Sequence, residues 1–247
     1  MRIDIIANVA EGYGPEQAAH ETILYSLASS VNIACGFHTG DPTRMRQALQ
    51  RAGEAGVNIG AHVAYPDLRG GGETELSIPT EAAISDVLYQ TGALVALAAR
   101  EQATVQYVAP QGALGRRIAA DPAFALILAV ELNKFAPGMP LLLHAASPGA
   151  NALRNSGIPV IRVAFADRAY LTTNQVAPAT RPGALLSGEE TAAQAVQLAT
   201  AGPINTVDGE AIQLHTDAVA VMRQTPARLA TVKEALEQRG VHIRAAR

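Results

Sequence analysis

The amino-acid sequence predicts an α/β protein that forms one closed barrel of about seven, mostly parallel strands. Short β-branched runs alternate along the chain with alanine-rich segments whose apolar residues recur at helical spacing. Strands that alternate with helices pair in parallel through right-handed crossovers, and about seven such units in 247 residues favour a closed barrel over an open sheet. No linker, low-complexity tract or charge block divides residues 1–247, so we expect a single domain.

Each predicted strand is a short apolar run, and each predicted helix is a longer amphipathic segment. The strands are RIDIIANV, VNIAC, VNIGAH, TVQYVA, PLLLHA, IPVIRVAF, INTV and VHIR. The clearest helices are PTRMRQALQRAGEAG, PTEAAISDVLYQTGALVALAAREQ and SGEETAAQAVQLATAG, several of which have a Ser, Thr or Asp start signal and a Gly stop signal. The glycine-rich stretch RGGGE, residues 69–73, is typical of a mobile loop rather than of a domain boundary.

The composition favours a small-molecule partner. A formal net charge of −3 gives no cluster of Lys or Arg for nucleic acid or an anionic membrane. The single cysteine, Cys35, cannot form an intramolecular disulfide, and no charged-then-apolar leader stands at the amino terminus, so we expect a cytoplasmic protein. No apolar run reaches the ~18 uncharged residues of a membrane-spanning helix. The oligomeric state is left open, a homo-oligomer included.

Polar side chains follow each of the first three predicted strands. They are Asn8 and Glu11, His38 and Asp41, and His62 and Asp67. Because the carboxyl ends of parallel barrel strands form the functional face, we expect these side chains to converge on one cavity. Two imidazoles at equivalent ends of consecutive strands favour a site over two separate structural histidines. For Asp41, which precedes Pro42 and a helical pattern, capping of that helix is an equal alternative to catalysis.

Two later segments carry weaker candidates. Asp167 and Arg168 follow the run IPVIRVAF, where the guanidinium could bind a substrate carboxylate in bidentate fashion, with a loop salt bridge as the alternative. His215 and Asp217 follow the run AIQ, with a structural histidine as the alternative. The sequence contains no G-x-S-x-G, G-x-x-x-x-G-K-[ST] or H-E-x-x-H motif, so neither a serine hydrolase nor a stand-alone ATPase is indicated.

Eight segments in one order, spanning nearly the whole chain, resemble the LamB/YcsF family. They are IDIIANVAEG, NIACGFHTGD, GVNIGAHVAYPD, LYQTGAL, APQGAL, FADRAY, GAL and LHTD. The resemblance implies a distorted β/α barrel of the glycoside hydrolase/deacetylase type. Because the family includes the A subunit of bacterial 5-oxoprolinase, the resemblance also implies ATP-dependent opening of the 5-oxoproline lactam to glutamate, or of a related cyclic amide. Two partner subunits that resemble urea-amidolyase domains are implied as well.

Such an activity needs a proton donor or acceptor near the ring nitrogen and hydrogen-bond donors for the developing oxyanion. The residues expected to carry this chemistry are Glu11, His38, Asp41 and His62. The residues expected to contact the substrate are Asn8, Asp67, Gln111, Asp167, Arg168 and His215. ATP is implied by the resemblance and is expected to act together with the partner subunits.

Three motifs depart from the patterns usual in the family, which are N-A-D-L-G-E-G, K-P-H-G-A-L-Y-N and H-G-D. The departures are Ile6, Asn8 and Ala10 in the first, Ala109, Gln111, Gly115 and Arg116 in the second, and Thr216 in the third. Side chains alternate along a strand, so positions 109 and 111 share a face, and the predicted mouth loses a carboxylate, an ammonium and an imidazole. The alternative to a lactam hydrolase is therefore a catalytically impaired homologue that acts as a scaffold or as a small-molecule or carbohydrate binder.

A divalent metal is also implied by related deacetylase folds, which hold one with an Asp and two His. His38 and His62 could supply the imidazoles, but the neutral amide of Asn8 is a weaker ligand for a hard cation than a carboxylate. Firm metal binding, and with it a metal-dependent deacetylase, is therefore the less favoured expectation.

Overall fold

A computed structural model describes residues 1–12 and 14–246 of the chain and, for residues 15–17, the backbone alone. The strands are β1 Arg2–Val9, β2 Ser30–Ala34, β3 Asn58–Val63, β4 Tyr107–Pro110, β5 Leu141–His144, β6 Val160–Phe165, β7 Pro203–Asn205, β8 Ala211–Gln213, β9 Ala218–Ala220 and β10 His242–Ile243. The helices are α1 Pro15–Leu27, α2 Pro42–Ala55, α3 Thr80–Arg100, α4 Gly112–Ala120, α5 Pro122–Phe135, α6 Pro148–Asn155, α7 Gly188–Ala199 and α8 Pro226–Gln238.

Strands of the described chain close into a parallel barrel of seven, as the sequence predicted. Neighbours run β1, β2, β3, β4, β5, β6 and β9, and β9 pairs again with β1. The closing strand, β9, has only three residues and was not among the predicted strands. A run this short gives no periodic signal, so its place in the ring is visible only from its two neighbours.

Two of the predicted strands lie outside this ring. The run INTV contributes to β7, which pairs with β8 in a separate antiparallel sheet. The run VHIR contains β10, which pairs with the first residues of β1, Arg2 opposite His242 and Ile3 opposite Ile243. Both runs are extended as predicted, but the place expected for a late barrel strand belongs to β9.

The start and stop signals predicted from the sequence lie at the ends of the helices, as α7 and α2 show. Ser187 caps α7 in a reciprocal box with Glu190, in which each side chain accepts a hydrogen bond from the other residue's backbone. This satisfies amide groups that have no partner in a first helical turn. Helix α2 ends at Gly56, whose φ of 67° is in the left-handed region that suits glycine.

Side chains of the strands alternate between two apolar layers. Outward-pointing residues such as Ile5 and Ile33 belong to the main core between the barrel and its helices. The inner layer consists of Ile6, Tyr107, Ala109, Leu142, Ile161, Val163 and Ala218. The Tyr107 hydroxyl donates to Asn32 Oδ1 at 2.8 Å, and Asn32 Nδ2 donates to Asn8 Oδ1 at 2.9 Å. The barrel interior is therefore packed, and chemistry is confined to its carboxyl-terminal mouth.

By length and composition alone, helix α3 could cross a membrane. In the fold it packs on the barrel wall and buries Ala83, Ile84, Val87, Gln90, Thr91, Leu94 and Ala98. Gln90 accepts a hydrogen bond from Ala64 N at 3.0 Å and donates one to Ala64 O at 2.9 Å, which ties the helix to the end of β3. Its apolar residues therefore serve the packing of the wall.

Candidate functional site

Glu11, His38 and His62 come together at the carboxyl-terminal mouth of the barrel. Glu11 Oε1 lies 3.6 Å from His38 Nε2 and 3.5 Å from His62 Nε2. The two imidazole rings are 5.1 Å apart between centroids and nearly perpendicular, at 89°. Both histidines are buried at 3% exposure, whereas the Glu11 side chain is 34% exposed. The carboxylate is thus the exposed member of a buried cluster, which we call the mouth triad.

Each member of the mouth triad is placed by the end of a different strand. Glu11 follows β1 after Ala10, which turns the chain with a positive φ of 62°. His38 lies in the loop after β2, and His62 is an inward-facing residue of β3 whose Nδ1 is 2.9 Å from the Ala109 carbonyl oxygen. Because β1, β2 and β3 are consecutive neighbours, three strand ends meet at one point.

The backbone of Glu11 is held by two side chains. Glu21 Oε1 accepts hydrogen bonds from Glu11 N at 3.1 Å and Gly12 N at 3.2 Å, and Thr39 Oγ1 donates to Glu11 O at 2.6 Å. Glu21 is buried on α1 and forms an ion pair with Arg44 on α2, at 3.2 Å. These contacts orient the triad carboxylate. Sequence reasoning missed Glu21, because its role depends on how α1 packs beside the mouth.

The electrostatics of the triad favour a carboxylate beside a neutral imidazole. Burial raises the pKa of Glu11, but interactions with His38 and His62 outweigh burial and lower that pKa to about 2. Burial lowers the pKa of His38, and the nearby Glu11 only partly opposes this. At neutral pH the carboxylate is therefore ionised and His38 is neutral.

The hydrogen bond of His62 determines which of its nitrogens carries the proton in the neutral ring. The Ala109 oxygen can only accept, so Nδ1 must donate to it. In the neutral ring Nε2 then presents a lone pair to the ionised Glu11 oxygen. His62 Nε2 and both ring nitrogens of His38 are buried without a hydrogen-bond partner among the described residues. The Glu11 carboxylate and the two Nε2 atoms therefore face one another without a direct hydrogen bond, and a proton or a cation between them would complete the cluster.

The glycine-rich stretch RGGGE lies in a loop, as predicted, and this loop packs on His38. A Cβ at Gly72 would lie 3.1 Å from His38 Cβ and 3.2 Å from Ala64 Cβ, and the residue has a φ of 81°. Ala113 N donates to Gly72 O at 2.9 Å, which connects the loop to the start of α4. The glycine therefore permits close packing beside the triad.

Three predicted site residues have structural roles near the mouth. Asp41 caps α2 by accepting from Thr43 N and Arg44 N at 2.8 and 3.0 Å, which is the alternative that the sequence left open. Asp67 accepts from the amides of Gly70 and Thr74 and shapes the glycine-rich loop. The side-chain oxygen of Asn8, Oδ1, accepts from Asn32 Nδ2, as described above. None of these three belongs to the mouth triad.

Three further residues were expected to contact the substrate. The side chains of Asp167 and Arg168 are occupied by contacts within the protein, and Gln111 lies at the rim of the mouth. Asp167 is fully buried and accepts from Met222 N and Arg223 N, so its carboxylate is not offered to a ligand. Arg168 donates to Ala177 O and to the sulfur of Met222. Gln111 donates to Glu73 Oε1 at 3.4 Å, at the edge of the glycine-rich loop.

The assignment of His215 to the substrate site is wrong. The run AIQ, which precedes His215, forms β8 and lies outside the barrel. His215 is exposed and precedes the barrel strand β9, so it lies toward the amino-terminal end of the barrel. Asp217 at that end forms an ion pair with Arg162 at 2.7 Å.

His144, at the end of β5, is a mouth residue that sequence reasoning missed. Its ring stacks on Phe165 with centroids 6.2 Å apart and on Tyr170 with centroids 5.7 Å apart. Burial lowers the pKa of His144 to about 4, and its Nε2 has no hydrogen-bond partner in the described chain. The signal was available, because this imidazole is the last residue but one of the predicted strand PLLLHA.

The set of residues that could hold a metal differs from the expected one. Ligand atoms of Glu11, His38 and His62 all lie within 4.8 Å of one another. The carboxylate therefore comes from Glu11, and the neutral amide of Asn8 does not enter the set. Two imidazoles and a carboxylate are a donor set that suits divalent transition metals.

Fold and site together define a parallel β/α barrel with a carboxylate and two buried imidazoles at the carboxyl ends of its strands. The LamB/YcsF family model matches residues 3–247, and the chain belongs to that family. Over 99% of its length it is 36% identical to the 5-oxoprolinase A subunit of Thermus thermophilus, which is covered completely. It is also 36% identical to the 5-oxoprolinase A subunit of Corynebacterium efficiens, with 99% and 98% of the two chains covered. The crystal structure of a lactam utilization protein from Thermus thermophilus matches with a TM-score of 0.92 and 36% identity over 100% of both chains.

Proposed function

We propose that this chain is the ring-opening subunit of a 5-oxoprolinase-type enzyme, which hydrolyses 5-oxoproline or a related cyclic amide to the open amino acid with the use of ATP. The observation that carries the proposal is the mouth triad, an ionised carboxylate within 3.6 Å of two buried imidazoles. The names of the relatives support lactam chemistry at this site.

The mouth triad can supply the proton transfers of lactam hydrolysis. Glu11, with a pKa of about 2, is a poor proton acceptor at neutral pH, so its role is electrostatic. Neutral His38 can take a proton from the attacking water, and the imidazolium that results is stabilised by the adjacent carboxylate. The C–N bond then breaks, and the proton passes to the ring nitrogen as it leaves. The water oxygen ends in the new carboxyl group, so atoms and charges balance.

ATP and partner subunits are part of this proposal. A five-membered lactam is an unstrained amide, so we assign its activation to transfer of the terminal phosphoryl group of ATP to the lactam oxygen, which releases ADP. After the C–N bond breaks, a second water releases that phosphoryl group as inorganic phosphate. This chain has no phosphate-cradling motif, so we assign nucleotide binding to partner subunits that resemble urea-amidolyase domains. The subunit names of the relatives support an assembly. The proposal places the protein in the cytoplasm, where ATP is available.

The test is ATP-dependent release of glutamate from 5-oxoproline by the purified chain mixed with its partner subunits. His38→Ala and Glu11→Gln are each expected to lower kcat by about 10²-fold or more, because each removes a group that acts on the reacting atoms. His215→Ala, an exposed histidine outside the mouth, is the matched control and should retain full activity. Full activity in His38→Ala would remove the proposed role of the triad.

A catalytically impaired homologue is the second candidate, and the wall beside His62 favours it. Ala109 is buried in the apolar interior of the barrel, and Asn8 is bonded to Asn32, so neither position supplies charge to the mouth. The triple change Asn8→Asp, Ala109→Lys and Gln111→His tests this candidate. Activity in the folded triple variant that is absent from the parent would identify a scaffold or small-molecule binder derived from an enzyme.

A further inference from the structure

We propose that Glu11, His38 and His62 bind a divalent transition-metal ion, with zinc as the ion best matched to the donor set. Binding of the ion is measured independently of the lactam chemistry proposed above. Because the ion would occupy His38 Nε2, the proton transfer assigned to His38 above applies to the metal-free site. The inference replaces the expectation from the sequence, which looked for the carboxylate at Asn8 and therefore did not favour a firm site.

The spacing of the three ligand atoms matches the edges of a metal coordination polyhedron. A tetrahedral zinc ion with bonds of ~2.1 Å separates its ligand atoms by roughly 3.4 Å. Glu11 Oε1 lies 3.5 Å from His62 Nε2 and 3.6 Å from His38 Nε2, and all three atoms fall within 4.8 Å. Direct hydrogen bonds between such groups would be shorter, at ~2.7 to 3.0 Å. The three atoms are therefore spaced like ligands around a common central position and not like hydrogen-bonded partners.

The hydrogen bond of His62 Nδ1 supports a cation at that position. Its Nδ1 donates to the Ala109 carbonyl oxygen at 2.9 Å, so the neutral ring directs a bare Nε2 toward the carboxylate. A backbone carbonyl that accepts from the far nitrogen is the usual second contact of a metal-binding histidine, and it orients the ring. The Nδ1 contact thus leaves Nε2 directed at the Glu11 oxygen, 3.5 Å away, as the atom available to a cation.

Burial gives the site a closed side and an open side. His38 and His62 are each 3% exposed, and their ring nitrogens have no hydrogen-bond partner within residues 1–12 and 14–246 apart from the Nδ1 bond of His62. Such buried polar atoms in a native fold call for a ligand or an ion. Glu11, in contrast, reaches the open mouth. Three protein ligands and one accessible face are the pattern of zinc sites that also bind a small molecule.

The donor set also selects among ions. Imidazole nitrogens suit zinc and its neighbours in the first transition series, whereas magnesium and calcium require mainly oxygen ligands. The Glu11 carboxylate is pre-oriented because Glu21 and Thr39 hold its backbone on both sides. We therefore expect zinc and cobalt to bind and magnesium not to bind.

The experiment uses the full chain, treated with a chelator, dialysed and titrated with ZnCl₂, CoCl₂ or MgCl₂ by calorimetry. One zinc ion per chain is expected, and Glu11→Gln, His38→Ala and His62→Ala should each weaken its binding by about 10²-fold or more. His215→Ala, with an exposed histidine outside the mouth, is the control and should bind zinc as the parent does. Zinc binding that is unchanged in all three triad variants, or lost in His215→Ala, would overturn the proposal.

A second measurement needs no variant and so does not depend on whether the substitutions fold. X-ray absorption at the zinc edge of the loaded wild-type chain should show two imidazoles among ligands at ~2.0 to 2.1 Å. Absence of bound zinc, or zinc without imidazole scattering, would mean that a proton bridges the triad instead. A chain that binds zinc but opens no lactam would retain this inference and lose the proposed function, and the reverse result would do the opposite.

Discussion

At the amino-terminal end of the barrel, the buried carboxylate of Asp4 accepts hydrogen bonds from the Ser29 and Ser30 hydroxyls and from the Ala246 amide, at 2.6 to 2.9 Å. At the carboxyl-terminal mouth, three ring nitrogens of His38 and His62 are buried without any such partner among the residues described. Both ends of the barrel therefore bury ionisable groups. At the amino-terminal end the carboxylate has hydrogen-bond donors around it, whereas at the mouth three ring nitrogens have no hydrogen-bond partner among the residues described.

This difference separates polar groups that stabilise the fold from polar groups retained for a ligand. Leaving a buried donor or acceptor unpaired costs stability, so unpaired groups persist where a bound molecule or ion completes them. Arg162 and Asp217, also toward the amino-terminal end, follow the first pattern with two hydrogen bonds at 2.7 and 2.9 Å between their side chains. We therefore expect substitutions at the amino-terminal end of the barrel to lower the stability of the fold, and substitutions in the mouth triad to weaken the binding of a ligand or ion.

The largest expected effect on stability is at Asp4. Asp4→Ala leaves the buried Ser30 hydroxyl without its acceptor and removes two further hydrogen bonds, so we expect the free energy of unfolding to fall by about 3 kcal/mol. Asp4→Asn keeps one acceptor oxygen and should lose about 1 kcal/mol. Urea denaturation measures both. His38→Gln, at the mouth, should stay within about 1 kcal/mol of the parent, and an equal loss at both ends would break the comparison.

The next effect is a pH dependence that comes from His144. Burial lowers its pKa from 6.5 to about 4, so the unfolded chain takes up the proton at a higher pH than the folded one. Stability is therefore fully present above pH 6.5 and declines as the pH falls toward 4. The full shift corresponds to roughly 3 kcal/mol, and we expect about 2 kcal/mol because the ring is partly exposed.

His144→Gln is the matched variant for this pH dependence, since it keeps a polar side chain that does not titrate. Denaturation midpoints of parent and variant, measured from neutral pH down to the acidic side of the window, should diverge as the pH falls. The variant loses less stability than the parent. Parallel curves would show that His144 is already paired in solution and does not belong with the unsatisfied groups of the mouth.

Local patterns were sufficient to predict most of the barrel and the members of the mouth triad. An apolar run such as IIANV or VNIAC buries on both faces, so it reads as a parallel strand without knowledge of its neighbours. The carboxyl ends of such strands are adjacent by the geometry of a parallel barrel. Glu11, His38 and His62 could therefore be grouped from their places after three consecutive strands.

The remaining features depend on contacts that no local pattern records. Strand β9 has three residues and is recognisable only by its pairing with β6 and β1, so His215, which precedes it, was expected at the wrong end of the barrel. Asp67 and Asp167 follow strands as expected, but their oxygens are used by nearby backbone amides. Spacing in the sequence predicts which end a residue occupies, not whether its hydrogen bonds are already made.

Substitution of Glu21 tests whether the hydrogen bonds from helix α1 to the backbone of Glu11 are needed to position the mouth triad. Glu21→Ala removes the acceptor for the Glu11 and Gly12 amides and the ion pair with Arg44, so we expect a loss of about 2 kcal/mol in stability. As a positioning residue, it should also lower kcat about 10-fold with little change in KM, because Glu11 loses its orientation rather than its charge.

Glu21→Gln is the conservative control, because its amide oxygen can still accept from the two backbone amides. It should recover most of the kcat that Glu21→Ala loses, while the contribution of the ion pair with Arg44 is removed. Steady-state kinetics and zinc titration on both variants measure this. A kcat that is equally low in both would assign the effect to charge, and no effect in either would show that Glu11 is held by Thr39 alone.

The smallest expected effect is at Ala10, which stands where the family motif usually has glycine. Its φ of 62° is in the left-handed region, where a Cβ costs roughly 1 to 2 kcal/mol. Ala10→Gly removes this strain but adds freedom to the unfolded chain, so we expect a net gain of about 1 kcal/mol in stability. Ala136→Gly, at a residue with φ of −135°, is the control and should lose roughly 0.5 kcal/mol. If Ala10→Gly is instead destabilising, the turn that presents Glu11 is relaxed. The triad would then owe its geometry to Glu21 and Thr39 and not to a strained turn.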